Sequence, residues 1–387
     1  MNAFKSALAC SALLLSLGPA LAADANEAAA RLKALMEAQG ATVSWGSLAG
    51  SGDDAILHGV KMTLPGENRE VHLGTVEMRG IDDGPNGAIT VDTLIAPGYS
   101  HKRGTDKFDV KGVEIDRLVM PDPGGGEAKA ASFDTMHMQS IRFAKRDREL
   151  FSAEDVTHEM EAPDGDGAIS VTTTAQRFSA AADRYPVVRD ICDVMGIAKY
   201  AGSLRARGSW SPTDGDVSLE SAEFQLDDSG ELKLSFAGSG YTRELLRSGQ
   251  SFSLKPKGQG VEALMAQGMA MMGAVSQVTF DGASMRFEPE PGVKPDPVAA
   301  KKARDRIARD LAPFGKAFAD KSLAEIDEYI ADPQSLEVSA APAEPVGAAT
   351  LMLSLMAAPK GLPQQLGLAI KANESLRRAA PVPLLKA

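Results

Sequence analysis

The chain has 387 residues and is poor in several things that would have narrowed its chemistry. It carries two cysteines, two tryptophans and five tyrosines, and aromatic residues make up 5% of it. One of the two cysteines, Cys10, falls inside an N-terminal apolar run, which leaves Cys192 as the single cysteine of the remaining chain. One thiol cannot form an intramolecular disulfide, so a disulfide framework is excluded. The bland reading of Cys192 is a small core residue near Ile191 and Val194. No stretch is rich enough in Lys and Arg to release counterions from nucleic acid, and the formal net charge is −11. Nucleic acid is therefore excluded as the expected partner, and broad contact with an anionic surface is disfavoured. Beyond the N-terminus no run is long and apolar enough to cross a bilayer as a helix, which needs about 20 residues.

Catalytic patterns are missing as well. The five histidines lie at 58, 72, 101, 137 and 158, and none has the spacing of a zinc-binding helix. The stretch "DGDG" at 164–167 resembles the start of a calcium loop, but Ala175 stands where the closing glutamate would be. A turn after Pro163 explains it better. "PGGG" at 123–126 has no strand-to-helix setting, so it reads as a loop and not as a phosphate cradle. No G-x-S-x-G nucleophile elbow occurs. The residues thus imply no catalytic site, no metal and no cofactor.

What is present begins with an address. Lys5, the apolar run Ala7–Leu17 and the small-residue pattern Ala20-Leu21-Ala22 make up a secretory signal peptide, cut after Ala22. Its removal takes away one positive charge and moves the net charge from −11 to −12. The expected location is the periplasm, and the expected mature chain has no transmembrane segment.

The rest is rich in period-two apolar patterning. Residues 25–39 predict an amphipathic helix ending before Gly40. Strands are predicted around Ile56–Leu64, over 88–99, and in "SLRARGSW" and "ELKLSFAG". A helix is predicted at 186–201 between two β-rich halves, and a Met-rich helix at 261–275. Charged helices are predicted over 297–333, a further helix over 348–358, and a last strand in "LGLAIKA". The domain reading is a signal peptide (1–22), an N-terminal β-rich half with a leading helix (23–185) and a connecting helix (186–202). A C-terminal β-rich half follows (203–373, with the helical insertion 297–333), and then a loose tail (374–387).

One short pattern recurs: apolar-x-apolar-x-x-apolar. It fits Val76, Met78 and Ile81, then Val113, Ile115 and Leu118, then Met136, Met138 and Ile141. It fits Phe151, Ala153 and Val156 too, and later Val217, Leu219 and Ala222, and Val278, Phe280 and Ala283. A strict strand would turn the second apolar set to the wrong face. A β-bulge restores the face by absorbing one extra residue, and increases the local twist. A tight corner between two strands is the alternative. The fold class expected is α+β and β-rich: a strongly curved antiparallel sheet of bulged strands, with helices mainly in the C-terminal half.

A coiled sheet needs its concave face filled, by the chain's own helices or by a ligand. The candidate apolar groove joins Met265, Met269 and Met272 to Val113, Ile115, Leu118, Met136, Met138 and Ile141, since Met surfaces adapt to varied apolar partners. As core, the Met run would simply plug that face. The functional expectation is a non-catalytic periplasmic protein that binds lipid or another envelope component. A structural or adaptor protein recruiting an envelope protein at a sheet edge is the alternative. An envelope hydrolase comes third, with no motif behind it.

The repeated short strands, as in "VSLESAEFQL" and "VTFDGASMRF", resemble those of bacterial envelope proteins of the AsmA-like class. The likeness covers about residues 40–290. The resemblance implies long curved sheets and a role in envelope lipid homeostasis or outer-membrane assembly. It implies no catalytic residues. The chain departs from that class in having a cleavable signal where a membrane anchor is expected.

Overall fold

The computed structural model describes residues 24–374, apart from 39, 51, 64–69, 123–130, 162–166, 182–185, 198–199, 243–244 and 246–276. The predicted signal sequence, the "PGGG" segment and the Met run, with Met265, Met269 and Met272, lie outside the described residues. Among the described residues, sixteen strands hydrogen-bond in an antiparallel sheet that is not closed; fourteen follow one another in chain order along one path and two short ones branch off it. The chain divides into two compact units, residues 1–141 and 142–387. The division falls inside strand β7 (Thr135–Lys145) and not at the helix beginning with Pro186.

The first unit holds helix α1 (Ala25–Ala38) and strands β1 (Thr42–Ser44), β2 (Ser47–Ala49), β3 (Ala55–Thr63), β4 (Glu70–Asp83), β5 (Ile89–Arg103) and β6 (Asp106–Met120). Asp24 starts α1 by accepting from the backbone N–H groups of Asn26 and Glu27 at 2.8 and 2.9 Å. Ala28 and Ala29 are fully buried, so the helix approaches the sheet through its smallest side chains. Leu57, Met78, Ile89, Val91 and Met120 fill the core beneath it, each at most 1% exposed.

The second unit holds β8 (Arg148–Glu161), β9 (Ile169–Ala180), α2 (Pro186–Met195), β10 (Ala201–Trp210), β11 (Val217–Leu226), β12 (Gly230–Ser239) and β13 (Thr279–Pro289). After these come α3 (Pro297–Leu311), α4 (Lys316–Ala331), β14 (Leu336–Ala340), β15 (Val346–Gly347), α5 (Ala348–Ala357), α6 (Leu362–Gln365) and β16 (Leu368–Ala372). Pro297 opens α3 at a position where no N–H is needed, and Asp296 caps it through Val298 and Ala299. Helices α2, α3 and α4 pack on one another, and α4 lies along β16. Arg306 of α3 donates to both carboxylate oxygens of buried Asp190 on α2 at 2.7 Å, and Tyr329 of α4 donates to the Met195 carbonyl at 3.2 Å. These contacts satisfy polar groups that would otherwise be costly to bury.

The missed beat takes two forms. In β11, Arg207 faces Ser221 and Gly208 faces Leu219, so Glu220 is an extra residue with no partner on β10. The same strand carries one residue too many against β12, where Leu219 pairs with Phe236 and Ala222 with Leu234. In β13, Asp281 is extra in the same way, between Gly282↔Ala237 and Phe280↔Gly238. These are the bulges the pattern predicts.

The copies at 76–81, 113–118 and 151–156 correct that expectation, because the register there does not slip. Val91 pairs with Leu118 and Thr93 with Asp116, an equal count on both strands. Ile81↔Val91 and Arg79↔Thr93 on one side, and Ala153↔Phe178 and Val156↔Ala175 in β8–β9, behave alike. One residue of each skip instead takes a left-handed backbone: Gly80 at φ 64°, Arg117 at φ 49° and Asp155 at φ 48°. A left-handed residue interrupts the alternation without adding length, so the next apolar side chain returns to the buried face. Gly80, Asp92 and Arg117 stand at matching positions on three neighbouring strands, so β4, β5 and β6 are interrupted along one line. Glycine is required at 80, since a Cβ there would come within 2.7 Å of Asp92 Cβ. Arg117 is held by an ion pair to Asp134.

Candidate functional site

The second unit's sheet presents its apolar residues in rows, because directly paired residues of an antiparallel sheet share a face. One row runs Ala175, Leu204, Phe224, Leu232, Phe287, Leu336, Ala372 across β9, β10, β11, β12, β13, β14 and β16. It is mostly buried, and Phe287 is fully so. Phe178, Tyr200 and Phe224 gather at the β9–β11 end of it, with Phe178 and Phe224 edge to face at 5.5 Å.

The next rows along the strands are different. Ala206, Ala222, Leu234, Met285, Val338 and Ile370 form one, and Met160, Val171, Gly208, Leu219, Phe236, Ala283, Ala340 and Leu368 form another. Apart from Ala222, every member of these two rows is only half-buried. Small residues at Gly208, Ala283 and Ala340 stand in the same row as the larger Val171, Leu219, Phe236 and Leu368. Phe236 rests against Phe280 at 6.1 Å, and the Trp210 indole donates to the Tyr241 carbonyl at 2.7 Å. These apolar rows are the candidate site. The described side chains of these rows are apolar and include no nucleophile.

The described part of the face carries a polar handle. His158 pairs with Thr173, which in turn faces Ala206, and its Nδ1 lies 2.8 Å from Thr173 Oγ1. Burial holds the His158 imidazole below its ordinary pKa, because the charged form is poorly solvated there. A neutral imidazole and a hydroxyl can each accept or donate one hydrogen bond, which suits a neutral polar end of an otherwise apolar molecule.

Cys192 is buried in α2, and burial, reinforced by Asp193, pushes its thiol up to about 11. Such a thiol is neutral at pH 7 and is not a nucleophile. Tyr200 is raised to about 12 by burial in the aromatic cluster. Among the described residues no group of three or more His, Cys, Asp or Glu is placed to hold a metal ion. No described helix is long and apolar enough to cross a membrane.

The groove residues singled out from the sequence do not gather at this face. Leu118 is in the first unit's core cluster, with Val113 and Ile115 packed against it and α1 alongside. Met138 is buried in β7, and Met136 and Ile141 are half-buried there. The residues that do gather, Leu219, Phe236, Met285 and Val338, belong to strands whose alternation is plain in the sequence. Their separation from the buried row is not, since burial depends on what packs over each end of a strand.

A family model described as an uncharacterized protein matches residues 223–373. That segment contains β12 to β16 and helices α3 to α6, together with the last four residues of β11, and so includes about half of the candidate face. No curated protein matches the chain.

Proposed function

We propose that this is an exported, periplasmic, non-catalytic protein that binds a lipid or similar apolar molecule on the half-buried rows of the second unit. The observation that carries the reading is the change along a single sheet face, from the buried row at Phe287 to the half-buried rows at Met285 and Phe236. Half-exposed apolar rows on neighbouring strands are costly in water and recur where a ligand or partner is held. His158 and Thr173 would orient the ligand's polar end. The signal sequence and the resemblance to AsmA-like envelope proteins support an envelope setting. Adaptor binding at the β16 edge is less well supported, because the Glu325 carboxylate already accepts from the outward N–H of Ala372 at 2.9 Å.

Native mass spectrometry of the chain purified from its own envelope fraction tests the reading. The expected result is a bound species in the mass range of a lipid. A Phe236→Asp variant is expected to fold by circular dichroism and to lose that species. Recovery of the wild-type chain bare under the same conditions sinks the proposal.

A further inference from the structure

Helix α5, sequence AATLMLSLMA, has no buried residue. Met352, Leu353, Leu355 and Met356 are 60%, 64%, 57% and 82% exposed. Isolated exposed apolar side chains are ordinary, but four within five positions of one helix are not. At about 100° per residue they fan over about 160° of the helix surface. A groove on a partner protein grips a narrower stripe, read as i, i+3, i+4 and i+7 anchors. No charged residue stands between Glu344 and Lys360, so this surface has none of the charged rim that fixes the register of a protein interface. At ten residues, or about 15 Å, α5 is too short to span a bilayer but long enough to lie in its interface.

Its position ties it to the candidate site. Val346 of β15 pairs with Phe280, and the Ala348 N–H donates to the Val278 carbonyl at 2.8 Å. The helix therefore leaves the sheet at Phe280, in contact with Phe236 at the half-buried end of the apolar face.

We infer that α5 is a bilayer-docking element that lays Met352, Leu353, Leu355 and Met356 into an uncharged lipid interface and brings the end of the apolar face to the membrane. The inference rests on the ligand reading above and names where the ligand enters. The interface is a neutral one. The chain's net charge of −11 gives no attraction to anionic lipid, and the helix offers only apolar area.

The experiment is co-flotation of the full chain with phosphatidylcholine vesicles, comparing wild type with the double variant Leu353→Ser, Met356→Ser. Wild type is expected to float with the vesicles, little affected by salt, and the double variant to bind at least tenfold more weakly. Because both side chains are exposed, the variant's melting temperature is expected to match wild type. Failure of wild type to float overturns the inference. So does a concentration-dependent dimer that the double variant abolishes, which would assign the face to a second copy. A melting temperature lowered by several degrees would show that the chain covers this face itself, and also overturns it. A ligand already bound is expected to stay bound in the double variant, whereas Phe236→Asp loses it. Loss of vesicle binding and loss of the ligand are thus read separately.

Discussion

The two units solve the same problem with different means. Both present an apolar sheet face built from strands whose alternation misses a beat. In the first unit α1 settles on that face through Ala28 and Ala29, and the side chains beneath it, from Leu57 to Met120, are fully out of water. In the second, helices α2, α3 and α4 pack beside the sheet, with α4 along β16, and the face passes from buried to half-buried within two residues of each strand. The skips take both forms. Gly80 and Arg117 in the first unit and Asp155 in the second keep the pairing count with a left-handed residue, while Glu220 and Asp281 in the second are extra residues. The in-register interruption runs straight across β4, β5 and β6, whereas a bulge belongs to one strand and bends it locally.

The strongest test of this contrast is deletion. Removing Arg117 is expected to shift residues 106–116 by one against β5 and to turn Ile115 and Val113 away from the core, so the first unit should not fold. Removing Glu220 takes out a residue that is supernumerary against both neighbours, and is expected to cost no more than about 2 kcal/mol by urea denaturation. Similar losses for the two deletions would erase the distinction.

Truncation comes next. Leu57→Ala, at a fully buried site, is expected to cost about 3 kcal/mol. Leu219→Ala, on the half-buried row, is expected to cost about 1 kcal/mol while weakening ligand capture. Equal costs would mean that the second face is core. A smaller effect is expected at Gly80→Ala, about 1–2 kcal/mol, from the left-handed backbone and the Asp92 side chain. The same change at Gly282, with ordinary φ and only a 3.3 Å approach, should cost less.

The smallest effect is a pH dependence. His158 has a depressed folded-state pKa, so the unfolded chain takes up its proton first as pH falls. Stability is expected to be full above the unfolded value near 6.5 and to decline as pH drops through the folded one. His158→Gln should flatten that part of the profile in chemical denaturation. If the slope survives, another group sets it.

Much of this molecule was legible in one dimension. Period-two alternation marked nearly every long strand, the charged run from Pro297 marked a helical segment, and the beat missed at Glu220-Ser221 and Asp281-Gly282 marked real bulges. Alternation is local, so it survives in the sequence without knowledge of partners. The form of the skip at Arg117 was not legible, because a left-handed residue and an extra residue leave the same apolar spacing. Only the pairing count on the neighbouring strand tells them apart. Val113, Ile115 and Leu118 were equally ambiguous, since a core face and a ligand face need the same side chains.

The sequence alone determined most of the strand pattern, which faces are apolar, and that Cys192 has no disulfide partner within the chain beyond Ala22. The tertiary structure decided which of two similar faces is buried under α1 and which keeps half-exposed rows, and it left α5 bare beside the second. Patterning reports what a side chain prefers. What covers that side chain depends on residues far away in the chain, and only the folded arrangement brings them together.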